Sequence, residues 1–232
     1  MRKKSHYVIT GTIELKSGTR IGGSDDILQI GGTDLTCIKD PVTGKPYIPG
    51  SSLKGKMRSE LEKYHGRFGR NNPNEPCGCA QENCPVCRVF GPHKKVDHGL
   101  GPTRILVRDA PLLEGGEIEL KSETAIARTS GAAQRGSLRT LERVVPGSKF
   151  ALEIGLQVFD LDEKFTYEDE EENTVQGGAA LYQVVCHGLD LIEQTGIGGG
   201  TSKGYGAVEI TIEKAVEVKR RKKCPQPSAS AE

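Results

Sequence analysis

Tryptophan is absent from this chain of 232 residues, and aromatic residues make up only 5% of it. A protein that reads single-stranded nucleic acid by stacking bases on exposed rings needs more than that. Neither basic stretch of the sequence interleaves aromatics with its charges, so recognition by stacking is excluded. Long apolar runs are missing as well. No segment approaches the roughly 18 apolar residues of a membrane-spanning helix, so no membrane association is expected. The basic start Met1-Arg2-Lys3-Lys4-Ser5-His6 has no apolar stretch behind it, and the chain is expected to be cytoplasmic. A charge excess is also lacking, with 32 Lys and Arg against 31 Asp and Glu for a net charge of +1. The total therefore says nothing about polyanion binding, and distribution decides.

That distribution is uneven. Lys45, Lys54, Lys56, Arg58, Lys63, Arg67 and Arg70 share 41–70 with only two acids, Glu60 and Glu62. Arg128, Arg135, Arg139, Arg143 and Lys149 share 128–149 with Glu142 alone. The balancing acid is gathered between Asp160 and Glu172, so two basic stretches are masked in the sum by one acidic loop.

Alternating apolar residues mark strands at Tyr7-Ile9-Ile13, Ile105-Val107, Phe150-Leu152-Ile154-Leu156-Val158 and Val208-Ile210-Ile212. Helical spacing appears at Leu53-Met57-Leu61-Tyr64 behind a Ser51-Ser52 N-cap, and at Leu181-Val184-Leu189-Ile192 running into Gly196 as a stop. In order these elements spell βαββαβ, an α+β fold of the ferredoxin-like, RRM type. One domain over 1–215 is expected, with a glycine- and aspartate-rich insertion at 17–49, a cysteine-bearing one at 69–101 and an arginine-rich hairpin at 111–146. The basic segment 216–232 has no periodicity and is expected to be a flexible tail.

Seven cysteines, an odd number in a chain expected to stay in a reducing compartment, argue for metal rather than disulfides. Cys77, Cys79, Cys84 and Cys87 stand in a C-x-C-x4-C-x2-C pattern. Four thiolates so close can close a tetrahedral Zn2+ site, and the nearly apolar-free segment before them would fold around the metal. The site is structural, since four sulfurs leave no open coordination position; an iron–sulfur cluster is the alternative. His93 and His98 are spare ligands, and Cys186, on an apolar helix, is expected in the core.

Gly50-Ser-Ser-Leu-Lys-Gly55-Lys56-Met57 nearly spells a phosphate-binding P-loop, but Met57 stands where a magnesium-holding hydroxyl belongs, so nucleotide hydrolysis is excluded. What survives is a helix start with Ser51, Ser52, Lys54 and Arg58, suited to phosphate through amides, helix dipole and charge; the plain alternative is a solvated helix face. The loop 196–206 holds six glycines with Gly199, Gly200, Thr201 and Lys203 at its centre, which would let a polynucleotide backbone approach. Arg128 and Arg135 lie on the hairpin, within reach of phosphates. Asp25, Asp26 and Asp34 offer carboxylates near the basic helix, although aspartate in loops usually serves turns.

The succession Gly-Gly-Thr-Asp34, Ile48-Pro-Gly-Ser-Ser-Leu-Lys-Gly55, Ala125-Ile-Ala-Arg128-Thr with Glu142-Arg143-Val, and Gly198-Gly-Gly-Thr-Ser-Lys-Gly-Tyr-Gly206 resembles the backbone subunits of type III CRISPR effector complexes, members of the RAMP superfamily. The resemblance covers nearly the whole chain up to about Ile212. It implies an RRM-like palm and a hairpin thumb that wedges into the guide–target duplex. Copies of the chain would stack along the crRNA within a ribonucleoprotein that holds other subunits. It also implies cleavage of the complementary target RNA at regular intervals, with Asp34 as the catalytic residue, a divalent metal such as Mg2+, and attack by the 2′-hydroxyl on the neighbouring phosphate. Two other functions fit the same residues: a catalytically silent crRNA-binding scaffold, and a guide-processing endoribonuclease, against which the lack of a histidine near the glycine loop weighs.

Overall fold

The computed structural model describes residues 1–22, 35–69, 72–94, 96–168 and 173–218. Asp34, Asp25, Asp26 and the tail beyond 218 lie outside the described residues. In chain order the elements are β1 (Lys3–Leu15), β2 (Tyr47–Ile48), α1 (Gly50–Tyr64), α2 (Pro85–Phe90), β3 (Ile105–Val107), β4 (Ala110–Glu114), β5 (Ile118–Glu123), β6 (Arg139–Val144), β7 (Lys149–Phe159), β8 (Thr166–Glu168), β9 (Thr174–Gln176), α3 (Gly178–Thr195) and β10 (Val208–Glu217). The architecture is mixed α+β, with more sheet than helix.

The central sheet runs β10-β1-β7-β4-β2, and β3 also pairs with β7. β1 lies antiparallel between β10 and β7, with Ile9 opposite Ile154 and Ile13 opposite Phe150. Alternation puts Ile9, Ile13, Phe150, Leu152, Ile154 and Leu156 on one buried face. α1 turns its buried stripe Leu53, Met57, Leu61 inward, and α3 does the same with Leu181, Val184 and Ile192. The two helices touch at Gly188, where a Cβ would stand 2.4 Å from Met57 Cγ.

Three local expectations change. α1 begins at Gly50 with Pro49 in the cap position, so the Ser51-Ser52 cap does not form. The Gly50 amide instead donates to Asp109 Oδ1 at 2.7 Å, a cap delivered from the segment between β3 and β4. Residues 111–114 belong to the central sheet as β4, and the hairpin proper is β5 paired with β6. Cys186 is half-buried rather than in the core. The acidic loop also contains a core residue: Asp162 is fully buried, accepts from Arg104 Nη2 at 2.7 Å and from the Phe159 amide at 2.9 Å, and lies 3.4 Å from Arg88. With its oxygens so satisfied, this carboxylate holds the turn after β7 against the segment leading into β3.

His65, just past α1, sits 3.1 Å from the Tyr167 hydroxyl, which is itself 2.6 Å from His187 Nδ1. Burial, helped by the charges of His187 and Arg67, pushes the His65 pKa down to about 4. In the unfolded chain that ring takes up a proton near pH ~6.5, so between the two values the unfolded state binds more protons and stability falls as the pH falls. The ring is only half-buried, which discounts the effect to about 1–2 kcal/mol. The urea midpoint should drop between pH 7 and pH 4.5, and His65→Gln should flatten that drop; an equally steep drop in the variant would place the sensitivity elsewhere.

Candidate nucleic-acid interface and metal centre

The four cysteine sulfurs of the 77–87 segment all lie within 4.8 Å of one another. Cys77 and Cys84 are 3.9 Å apart, Cys79 and Cys87 3.7 Å, and Cys77 and Cys87 3.7 Å. Sulfurs at the ~2.3 Å zinc–thiolate distance on the corners of a tetrahedron stand about 3.8 Å apart, so the separations match the geometry of a four-cysteine metal site. Cys84 caps α2 by accepting the Cys87 amide at 3.4 Å, and Pro85 opens that helix. The Cys87 thiol's hydrogen bond pulls Cys84 down to about 5, while burial raises Cys77 to about 11. Crowded sulfurs resist a second negative charge, and a cation is what lets all four ionise. Among the described residues this is the only group of His, Cys, Asp and Glu side chains placed to hold a metal. His93 and His98 are not needed.

The metal loop is fastened to α1. Glu62 accepts the Cys77 amide at 2.8 Å, Arg58 Nη2 donates to the Cys77 carbonyl at 2.8 Å, and Arg58 and Glu62 pair with each other one turn apart at 2.8 Å. The guanidinium of Arg58 is thereby committed to the metal loop. Lys54 and Arg58, both expected at a phosphate from sequence, stand in different surroundings. Lys54 is half-buried and has no carboxylate partner among the described residues; burial first, and the charge of Arg58 second, lower its pKa.

A cleft of about 180 Å³ joins two motifs that are far apart in sequence. Ser52, Leu53 and Lys56 from α1 form one side, Ile197, Gly198 and Gly199 the other, and Ile21, Gly22 and Ile48 the floor. The glycine loop is held to the segment that follows β1 by the Gly199 amide donating to the Arg20 carbonyl at 2.8 Å. Most of its glycines answer to the chain itself. A Cβ on Gly206 would stand 1.9 Å from the Ile197 carbonyl oxygen, and one on Gly198 2.4 Å from that of Arg20, both at positive φ. Glycine richness here is a folding requirement before it is a ligand requirement. The anion site at the start of α1 is likewise filled from within: the Gly50 amide goes to Asp109, and the Ser52 and Leu53 amides go to the Pro49 carbonyl. Ser51 is exposed on the same turn but does not line the cleft.

Arg20 was not among the residues expected from sequence. Its guanidinium lies over the glycine loop, 2.9 Å from where a Gly199 Cβ would be and 3.1 Å from that of Gly22, and it has no ion-pair partner among the described residues. No local pattern marks it, because its meaning comes from a loop at the other end of the sequence.

The glycine loop meets the hairpin where its two-stranded ladder gives way to the segment 124–138. Glu123, the last residue of β5, accepts from Lys203 at 3.0 Å, from Arg139 at 2.9 Å and from the Tyr205 hydroxyl. Lys121 and Arg143 lie over the Tyr205 ring, 4.5 and 4.6 Å from its centroid. Tyr205 leads, followed by Lys203, in holding the Glu123 carboxyl down to about 2. Thr201 and Lys203 stand on a single 3-10 turn, and Gly200 packs under Tyr205. Arg128 and Arg135 lie on the segment between β5 and β6, with no ion-pair partner among the described residues.

Asp34 lies outside the described residues, but the chain after it is fixed. Leu35 forms a parallel bridge with Leu141, the Glu142 amide donates to the Leu35 carbonyl at 2.9 Å, and the Glu142 carboxylate accepts the Cys37 amide at 3.0 Å. The first described residue after Asp34 is thus anchored on β6.

A family model for the RAMP superfamily matches residues 12–209. The chain belongs to the RAMP superfamily. Among RAMP proteins, it is 37% identical to the CRISPR system Cms endoribonuclease Csm3 of Methanocaldococcus jannaschii, over 89% of this chain and 79% of that one. The protein of the same name from Methanothermobacter thermautotrophicus is 36% identical over 95% and 89%, and that from Streptococcus thermophilus 34% over 89% and 87%. A chain in the crystal structure of the Csm3–Csm4 subcomplex of the type III-A CRISPR-Cas interference complex superimposes with a TM-score of 0.53 at 28% identity, covering 90% of this RAMP chain and 77% of that one. Among the described residues, no helix is long and apolar enough to cross a membrane.

Proposed function

We propose that this chain is a crRNA-binding filament subunit of a type III CRISPR interference complex and cleaves target RNA paired to the guide. The observation that carries the reading is the meeting of the glycine loop with the first turns of α1 on one side and with the β5–β6 hairpin at Glu123 and Arg139 on the other. The order β10-β1-β7-β3 with α1 and α3 on one face supports a ferredoxin-like palm, and β5–β6 supports a thumb. The subunit works in the cytoplasm, stacked on copies of itself and bound to other subunits. Ser51, Ser52, Lys54, Gly199, Gly200, Thr201 and Lys203 face the guide backbone, and Arg128 and Arg135 reach the duplex from the thumb. Arg58 serves RNA through the metal loop it fastens. Zn2+ is the ion the four cysteines suit, and its role is structural.

In cleavage the 2′-oxygen of the target bonds to the adjacent phosphorus while the bond from phosphorus to the 5′-oxygen breaks. The hydroxyl proton leaves to a base and the 5′-oxygen takes one up, giving a cyclic phosphate and a 5′-hydroxyl. A thumb that displaces one base lets the backbone approach in-line geometry, which supplies much of the rate. Asp34 would take the proton or help hold a divalent ion such as Mg2+, which when bound would stabilise the negative charge that builds on the phosphate oxygens in the transition state.

On a defined guide, the assembled complex with labelled complementary RNA and magnesium should give a ladder of evenly spaced cuts. Target retained but uncut would leave a scaffold and move the chemistry to another subunit. Beside the cleft, Arg20→Ala at the glycine loop and Lys54→Ala on α1 should each weaken RNA binding about three- to tenfold and lower the slope of log affinity against log salt by about one. An unchanged slope would mean that neither cation meets a phosphate.

A further inference from the structure

Beyond the residues assigned to RNA stands an acid in the middle of them. Four cations, Lys121, Arg139, Arg143 and Lys203, surround Tyr205 and Glu123 where the glycine loop meets the hairpin, with Glu119 paired to Arg143 as the second acid. The group carries a net charge of +2 by these residues, four positive against two negative. Glu123 is partly buried, whereas about half of the Lys203 and Arg139 side-chain surface stays open to solvent. Lys203 spends one of its three donors on the carboxylate, and Arg139 spends Nε and one Nη2 hydrogen, so both keep donors aimed outward.

We infer that Glu123 is a positioning residue for RNA: it fixes Lys203 of the glycine loop and Arg139 of the thumb as one preorganised pair that grips a backbone phosphate crossing between them. Two flexible cations on separate elements would each lose rotamer freedom on meeting a phosphate, and a carboxylate shared between them removes part of that cost beforehand. Tyr205 completes the post. Its hydroxyl orients the carboxylate, and its ring is held between Lys121 and Arg143. The carboxylate stays ionised throughout the range in which RNA is handled, so the pair is fixed independently of pH.

This inference rests on the RNA-binding reading, and its test has a sign that electrostatics alone would reverse. Removing an acid from a polyanion site raises affinity if the acid only screens; if the acid positions, affinity falls. Binding of the full chain to fluorescein-labelled single-stranded RNA, measured by anisotropy across a salt series, should be about tenfold weaker for Glu123→Ala, with a salt slope lower by one to two. Glu123→Gln keeps an acceptor for Tyr205 and Lys203 and should recover to within about threefold of wild type. Tyr205→Phe should weaken binding two- to threefold in the same direction. Stoichiometric titration restricts each comparison to the binding-competent fraction, which separates positioning from loss of fold. Tighter or unchanged binding by Glu123→Ala overturns the inference while leaving the proposed function standing. A wild-type chain that binds no RNA, alone or in the assembled complex, overturns both.

Discussion

Asp34→Ala is expected to abolish the evenly spaced cuts while leaving guide and target bound as tightly as before. The expected loss is about a thousandfold or more, since a carboxylate that takes a proton or holds a divalent ion stabilises only the transition state, and such contributions run to ~10² to 10⁴ in rate. Binding is expected to survive because the cations placed on RNA belong to other elements: Arg20, Lys54 and Lys203 stand around the α1 cleft and the glycine loop, and Arg128 on the hairpin. The chain after Asp34 also keeps its hold on the thumb, since Leu35 and Cys37 are fixed through backbone groups and the Glu142 carboxylate, none of which the substitution removes. The measurement is a sequencing gel beside a binding isotherm for the same complexes. A ladder that persists in Asp34→Ala would take the catalytic role from this residue, and a loss of binding in step with cleavage would make it a structural one.

Cys84→Ser should cost the chain its metal and more than ~4 kcal/mol of stability, one of the few single changes expected to be so large. Cys84 is a sulfur of the four-cysteine set, the cap of α2 and fully buried. Folding free energy in small zinc modules is largely metal-binding free energy, ~10–16 kcal/mol for isolated peptides at neutral pH, and here it would add to the burial of Val86, Val89 and Phe90 and the bonds from Arg58 and Glu62. The loss travels further than the loop. Glu62 and Arg58 both spend their hydrogen bonds on Cys77, and Glu62 is itself nearly buried, so release of Cys77 leaves a carboxylate with fewer donors on the helix that forms one wall of the cleft. Elemental analysis should give one zinc per wild-type chain and close to none in the variant, together with a lower denaturant midpoint and early proteolysis within 72–101. Visible absorption from an iron–sulfur cluster would replace zinc. Full metal content with unchanged stability in Cys84→Ser would remove this cysteine from the set.

Local patterns carried much of this protein. The 3.6-residue spacing of Leu53, Met57 and Leu61, the alternation from Phe150 to Val158 and the stop at Gly196 needed no partner to be recognised, because each is a relation between neighbours in one element. The four cysteines were legible for the same reason, since ligands within eleven residues can reach one ion whatever the rest of the chain does. Short elements escaped: β2 has two residues and β8 and β9 three each, too few for a period to show, and they exist only because a longer strand or each other completes their hydrogen bonds.

What the sequence determined by itself was therefore four strands of the central sheet, the two longer helices, the clustering of four cysteines and the two basic stretches. Tertiary structure decided how the polar groups are spent. The α1 cap comes from Asp109, 59 residues away; Arg58 is drawn to Cys77, 19 residues away; and Glu123 collects Lys203 and Tyr205 from 80 and 82 residues away. Periodicity is set by the backbone's own geometry, but a side chain's hydrogen bond goes to whichever group folding brings within about 3 Å, and that choice is made only once the sheet and helices have packed.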